Sequence, residues 1–289
     1  MLLNTFEYLK PGSLGEVLHA LDELRGKKTQ VLAGGTDLIP SLRARTKAAE
    51  YVVDLSGAGL DQVVFEKDQV RIGPLVTFAR LCRHAEIRSR LPVIVEAAEK
   101  IGAVQTRTLA TIGGNLCEGV PSNDSAPCLL VLDAKFRLQA KGKERMVAAE
   151  SFFVGPRRTV LEPGEIMTEI IVPLREGFGA TFLRFGRRKA LTLSVANAAA
   201  GVALTDNRQM ERVRIALGAV APTPIRARKA EQMLEGRAVT PELLAEAAAM
   251  ASTEISPISD LRASADYRRK ISAVLVRRAL EKLVGLARG

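Results

Sequence analysis

Tryptophan is absent, and three tyrosines and nine phenylalanines are the only aromatic residues in 289 positions. Stacking platforms for single-stranded nucleic acid are therefore scarce, although a net charge of +10 would otherwise suit a polyanion. The basic residues fall in small groups, such as Arg187-Arg188-Lys189 and Arg268-Arg269-Lys270, which read as solvated surface plus subunit contacts. Histidine occurs only at His19 and His84, each in a helical pattern, so no Ser/His/Asp set or histidine metal site assembles. Cys82, Cys117 and Cys128 show no Cys-x-x-Cys spacing, which leaves no zinc or iron–sulfur framework. No stretch approaches the ~20 apolar residues of a membrane span. The first residues lack the basic start and apolar core of a secretory leader, so a cytoplasmic protein with reduced thiols is expected.

What is present is an ordinary globular composition, 47% apolar and 26% charged, long enough for two domains or one divided domain. Gly57-Ala58-Gly59 invites a Rossmann reading, but the third glycine of that fingerprint falls on Gln62 and the pattern fails. No phosphate loop ending in Gly-Lys-Ser/Thr occurs. Two Gly-Gly segments stand instead: Val31-Leu32-Ala33-Gly34-Gly35-Thr36-Asp37-Leu38 and Thr108-Leu109-Ala110-Thr111-Ile112-Gly113-Gly114-Asn115. Each reads as a strand that stops at a turn able to take φ > 0 and to let another molecule lie against it. Successive N–H groups in such turns form an anion-binding concavity. Two of them suit the two phosphates of one dinucleotide. The donors are then the N–H groups of Ala33–Thr36 and Gly113–Asn115, with the Thr36, Thr111 and Asn115 side chains beside them. Taken singly, each segment also reads as an ordinary turn, and Asp37 as a helix cap.

The order of elements follows from periodicity. Ser13 and Glu16 have capping-box spacing, and Leu14, Val17, Leu18, Leu21 and Leu24 share one helical face that ends at Gly26. Strands are predicted near 30–33 and 51–55, with a short helix from Asp37, and a hairpin at 62–65 and 69–73. Thr77 caps one helix through Ile87, and Pro92 opens another to Ile101. Residues 116–125 form a loop, and Pro127 opens a short helix through Leu132. A hairpin at 135–140 and 145–148 and a strand at 169–172 complete this part. Residues 174–181 read as a linker. Strands at 193–204 and 212–220 follow. Thr223-Pro224 places a cap before a helix that Gly236 ends, and Thr240-Pro241 repeats the signal. An amphipathic helix spans 267–287.

Taken together, Ala33-Gly34-Gly35-Thr36-Asp37-Leu38 and Thr111-Ile112-Gly113-Gly114-Asn115 resemble the paired FAD motifs of molybdenum hydroxylase flavoproteins. These are the medium subunits of carbon monoxide dehydrogenases and bacterial xanthine dehydrogenases. The likeness continues through Pro121-Ser122-Asn123-Asp124 and Leu183-Arg184-Phe185-Gly186-Arg187-Arg188. It extends to Ala216-Leu217-Gly218-Ala219-Val220-Ala221-Pro222-Thr223-Pro224 and Ser264-Ala265-Asp266-Tyr267-Arg268-Arg269.

The resemblance implies an α+β chain. A two-subdomain, non-Rossmann FAD-binding domain of the PCMH or vanillyl-alcohol-oxidase type would occupy 1–56 and 57–176. A C-terminal antiparallel sheet with a three-helix bundle would occupy 177–289. It further implies that Asp124 accepts from a ribose hydroxyl, where the residues alone favour a helix cap before Pro127. Ile101 and Ile166 would pack against adenine or the flavin ring, although both also suit an ordinary core. FAD would be the cofactor here. A large molybdopterin subunit and a small [2Fe–2S] subunit would be the partners, in a dimer of heterotrimers. This chain would collect electrons and pass them to an external acceptor. A stand-alone flavin oxidase would need a substrate domain that the helical residues after Ala180 do not supply. A branch with an extra iron–sulfur insertion would need more cysteines. A basic nucleic-acid-binding module is the non-enzyme alternative, and a flavin spectrum separates it from the others.

Overall fold

The computed structural model describes residues 4–286 and builds three main sheets in chain order, with a further two-stranded pair inside the second unit. The first unit comprises β1 (Glu7–Leu9), α1 (Leu14–Glu23), β2 (Thr29–Leu32), α2 (Leu38–Arg43) and β3 (Tyr51–Asp54), with parallel strands in the order β1-β3-β2. Ser13 Oγ accepts from the Glu16 N–H (3.2 Å) to start α1. The Glu16 carboxylate returns to the Gly12 N–H (2.7 Å), so the reciprocal half of the capping box is displaced by one residue. The predicted apolar face of α1 then packs on Val53, Leu55 and Ile166. β2 ends at Leu32, so the first Gly-Gly turn lies beyond the carboxyl end of parallel strands, where open sheets place their ligands.

The second unit begins with β4 (Val63–Phe65) and β5 (Gln69–Ile72). Six helices follow: α3 (Phe78–Arg83), α4 (Ala85–Arg90), α5 (Pro92–Lys100), α6 (Val104–Leu109), α7 (Ile112–Glu118) and α8 (Ala126–Val131). Then come β6 (Lys135–Ala140), β7 (Lys143–Ala148), α9 (Ala149–Phe152), the short pair β8 (Phe153–Gly155) and β9 (Arg158–Thr159), and β10 (Ile166–Pro173). The main sheet is antiparallel in the order β4-β5-β10-β6-β7. Phe136, Leu138 and Ile170 pack with Phe78, Leu81 and Leu129 in one core.

Three expectations fail in this unit. The single helix from Thr77 to Ile87 is broken at His84, whose backbone is extended (ψ 109°). Its ring Nδ1 accepts from the Ile87 N–H (3.4 Å), so one residue ends α3 and caps α4. The strand expected before the second glycine pair is instead α6. Residues 116–118, read as loop, continue α7. Only Ala110 and Thr111 are extended there: the Phe78 N–H donates to Ala110 O and the Ile112 N–H to Val76 O, both at 3.0 Å. Cross-chain pairing at two residues, with helix on either side, overrides the β-branched threonines of that segment.

The third unit is an antiparallel sheet of β11 (Phe178–Gly186), β12 (Ser194–Leu204), β13 (Met210–Gly218) and β14 (Ile225–Arg226), in that order. α10 (Arg228–Leu234), α11 (Pro241–Thr253) and α12 (Ala265–Leu283) cover one face. β12 is buried at ten of its eleven positions because both sheet faces are covered. Ala196, Ala198 and Ala200 face the helices, while Ala199 joins the core of the second unit. β11 starts inside the expected linker. Thr223-Pro224 does not open a helix: β14 pairs with β13 there, and α10 begins only at Arg228. α12 begins with Ser264 Oγ accepting from the Tyr267 N–H (3.2 Å), and the expected last residue of that helix lies outside the described residues. Among the described residues no helix is long and apolar enough to cross a membrane.

Candidate cofactor site

A cavity of about 370 Å³ lies between the first two sheets, and both glycine segments line it. Gly34 is pressed onto the end of α6, where a Cβ would fall on the Leu109 carbonyl. Gly35 is left-handed (φ +73°), which turns the chain into α2. The N–H groups of Gly34, Gly35 and Thr36 donate to no acceptor within the described chain. They are the unspent donors that an anion requires.

The second segment works differently from its sequence reading. Gly113 and Gly114 are not left-handed; they form the first turn of α7. The Gly113 N–H donates to Pro74 O (2.8 Å), the Gly114 N–H to Thr111 Oγ1 (3.1 Å), and the Asn115 N–H to Thr111 O (3.0 Å). These three N–H groups, expected to face phosphate, are already engaged. Gly113 is glycine because a Cβ would strike Pro74. A Cβ on Gly114 would lie 2.9 Å from Thr111 Oγ1 and 3.7 Å from the Ala33 Cβ, in the gap between the two turns. What the second segment offers the cavity is side chains, Thr111 and Asn115. The Asn115 Oδ1 accepts from Ser125 Oγ (2.7 Å), which fixes that amide.

Val31, Ala33, Gly34, Gly35, Thr36, Asp37 and Leu38 line the cavity as expected, as do Ile101, Thr111, Gly113, Gly114, Asn115 and Ile166. Three expected residues do not. Leu32 turns to Leu38, Leu42 and Val52, and Ile112 is buried in the core of the second unit. Asp124 is buried outside the cavity, where its carboxylate accepts from Arg184 Nη1 (2.7 Å), Ser194 Oγ (2.5 Å) and Asn197 Nδ2 (2.7 Å). Burial pushes this carboxyl above the ordinary range, with Arg184 opposing. Nor does Asp124 cap α8: Asn123 Oδ1 takes the N–H groups of Ser125 (2.9 Å) and Ala126 (3.0 Å). Asp124 thus anchors the third unit to the second.

Sequence reading missed Lys47, Cys117, Glu118 and Glu165, all of which line the cavity. Glu118 carried a signal, since it follows Asn115 by one helical turn. Lys47 and Glu165 carried none, because only the fold brings them near. Glu165 accepts from Arg145 Nε (2.8 Å), Arg145 Nη2 (2.7 Å) and the Glu162 N–H (2.8 Å). The Arg145 hydrogen bonds hold its carboxyl below the ordinary range. Burial and the neighbouring Glu118 push the Asp37 carboxyl up, against Arg157 and Lys47. Burial, then Glu118, pushes the Cys117 thiol up to about 12, so it is no thiolate at neutral pH. Leu55, Leu75, Leu161 and Met167 give the cavity an apolar wall. Unspent N–H donors at a strand end beside apolar walls suit a dinucleotide with aromatic rings.

Comparison with known proteins identifies the family of the chain. Residues 4–175 match the family described as FAD binding domain in molybdopterin dehydrogenase, and residues 181–283 match the CO dehydrogenase flavoprotein C-terminal domain. The chain belongs to the FAD-binding medium chains of the molybdopterin dehydrogenases. It is 34% identical to the carbon monoxide dehydrogenase medium chain of Hydrogenophaga pseudoflava, with 97% of each chain covered. It is 30% identical to the xanthine dehydrogenase FAD-binding subunit of Escherichia coli O157:H7, covering 98% of this chain and 97% of that one. A solved carbon monoxide dehydrogenase from H. pseudoflava superposes over 100% of both chains with a TM-score of 0.94 at 33% identity. Quinoline 2-oxidoreductase from Pseudomonas putida 86 does so at 0.93 and 26%, again over 100% of both chains. This medium chain is therefore an oxidoreductase subunit with FAD as its cofactor, and its α+β architecture is that of the family.

Proposed function

We propose that this chain is the electron-transfer subunit of a three-chain molybdenum hydroxylase. The observation that carries the proposal is the convergence of both glycine segments on one cavity with unspent donors. The N–H groups of Gly34–Thr36 and the side chains of Thr111 and Asn115 bind the pyrophosphate, and Ile101 and Ile166 pack against the rings. When bound, the flavin supplies the redox chemistry, taking single electrons from an iron–sulfur centre and releasing a pair to an external acceptor. The fixed Asn115 amide and the Arg145-held Glu165 keep the cavity walls in place. FAD is held without a covalent bond, a reading that the protonated Cys117 supports. We take 1–56, 57–176 and 177–289 as the structural units, and one main sheet falls within each.

Among the described residues no cluster of His, Cys, Asp or Glu has metal-binding geometry, which supports placing the [2Fe–2S] and molybdopterin centres on a small and a large partner. A dimer of such trimers belongs to the same proposal, and the mass of the purified complex tests it. The decisive experiment follows flavin absorbance near 450 nm under anaerobic conditions, with the substrates named for relatives as a panel. We expect bleaching by one substrate when the partner chains are present and none with this chain alone. Substrate-driven bleaching of the isolated chain overturns the reading.

A further inference from the structure

Lys47 is the one lysine or arginine that lines the cavity among the described residues. Three carboxylates, Asp37, Glu118 and Glu165, share the same walls. A dinucleotide brings two more negative charges into this space. Glu165 is neutralised by Arg145, away from the first turn. The other two carboxylates stand with Lys47 and Arg157 in one cluster. Lys47 Nζ donates to Glu118 Oε2 (2.7 Å), and Arg157 Nη1 donates to Glu118 Oε1. Glu118 is therefore doubly paired, although one cation would neutralise it.

The two cations differ in how they are held. The backbone of Arg157 is left-handed and its N–H donates to Gly119 O (2.8 Å), while its side chain, 59% exposed, reaches Glu118 from outside the cavity that Lys47 lines. Lys47 sits on the loop after α2, where its backbone N–H reaches Ser41 O at 3.4 Å, and its side chain remains one-third exposed. A four-carbon stem with a rotatable ammonium can change partners at low cost. The Glu118 side chain is 12% exposed, and losing Lys47 leaves it paired with Arg157 rather than stranded.

We infer that Lys47 is a mobile counter-charge for the cofactor: it rests on Glu118 and turns to the pyrophosphate when the dinucleotide enters, while Arg157 retains Glu118. Lys47 is thus a positioning residue for the phosphates, and Glu118 sets its resting place. The inference rests on the assignment of the pyrophosphate to the glycine turns.

The test titrates full-length chain, stripped of flavin and kept with its partner chains where it purifies with them. FAD and riboflavin are compared by fluorescence quenching at several salt concentrations. Lys47→Met should weaken FAD about tenfold, as expected for a lost charge-assisted contact, and should leave riboflavin unchanged. The salt dependence of FAD binding should become shallower. Glu118→Gln should tighten FAD by about twofold or more, since Lys47 then has no competing carboxylate. Lys47→Arg should keep most of the affinity, and Lys141→Met, whose ammonium meets Asp22 on the outer surface, should change nothing. Wild-type FAD affinity in Lys47→Met overturns the inference, as does an equal loss of FAD and riboflavin. Equal wild-type affinity for FAD and riboflavin is a different failure, because it removes the pyrophosphate from the glycine turns.

Discussion

Gly34 and Gly114 both lack a side chain for reasons of space, but their neighbours differ. A Cβ on Gly34 meets backbone, the Leu109 carbonyl, which belongs to another unit and cannot move alone. Gly34→Ala should therefore cost about 1–3 kcal/mol of stability and release the flavin, because the first turn and α6 are forced apart. A Cβ on Gly114 meets one hydroxyl, that of Thr111, and otherwise projects toward Ala33 across the gap. Gly114→Ala should leave the melting temperature within about 2 °C and weaken FAD binding. Flavin-to-protein absorbance ratios and melting curves of the two variants separate these effects. Gly34→Ala purified yellow at full stoichiometry would refute the packing argument. The sequence marked both glycines but not this difference, since the neighbour of each lies on a distant segment.

At the scale of the element, α7 decides how the second glycine pair acts. It is a short helix, so its start depends on Thr111 Oγ1 accepting from the Gly114 N–H. Thr111→Val removes that acceptor and should cost about 1 kcal/mol, whereas Thr111→Ser should keep the cap. Amide exchange over residues 112–118 should accelerate in the valine variant alone. Unchanged exchange there would show that Pro74 and Val76 hold α7 without its cap. The helix was illegible in sequence because Thr108, Thr111 and Ile112 are β-branched and Gly113-Gly114 reads as a stop. By contrast α1 and α11 were legible from local capping chemistry alone, Ser13 with Glu16 and Thr240 with Pro241.

At the scale of the whole molecule, buried and half-buried charges tie the third unit to the second. Asp133 accepts from Arg175 (2.8 Å), Arg214 (3.1 Å) and Arg226 (3.0 Å), which come from the linker and from the third sheet. Burial raises its carboxyl, but the Arg175 hydrogen bond and the charges of Arg214, Arg175 and Arg226 outweigh it, for a net lowering. Glu165 is lowered too. A carboxyl lowered in the folded chain stabilises it fully above its unfolded pKa, near pH 4, and loses that contribution as the pH falls through the folded value. The raised carboxyls of Asp37 and Asp124 act in the opposite sense, since the folded chain takes up their protons more readily. The melting temperature should stay level from about pH 8 to pH 5 and fall below about pH 4, and Asp133→Asn should shrink that acid fall. An unchanged acid limb in Asp133→Asn would remove Asp133 from this account. Arg184 and Asp124, 6% and 8% exposed, form the second tie. Arg184→Met should cost about 3–5 kcal/mol by leaving a buried carboxylate unpaired, and adding Asp124→Asn should recover part of it. Equal melting temperatures for the single and double variants would refute that coupling.

The sequence by itself determined what depends on neighbours along the chain. Caps, hairpins and amphipathic faces follow from contacts within a few residues, so α1, α5, α11, the β4–β5 hairpin and the β6–β7 hairpin lie close to where periodicity puts them. The paired glycine segments, both of which line the cavity, also carried the resemblance that implied the cofactor. The tertiary structure decided everything that depends on residues far apart. It alone packed Leu32 and Ile112 against core, bonded Asp124 to Arg184, Ser194 and Asn197, and engaged the Gly113–Asn115 donors with Pro74 and Thr111. It also buried Arg268, which reads as surface in a basic run, against Val195 O, Ala219 O and Asp260. A buried polar group must find a partner wherever the fold offers one, and no local pattern encodes which partner that will be.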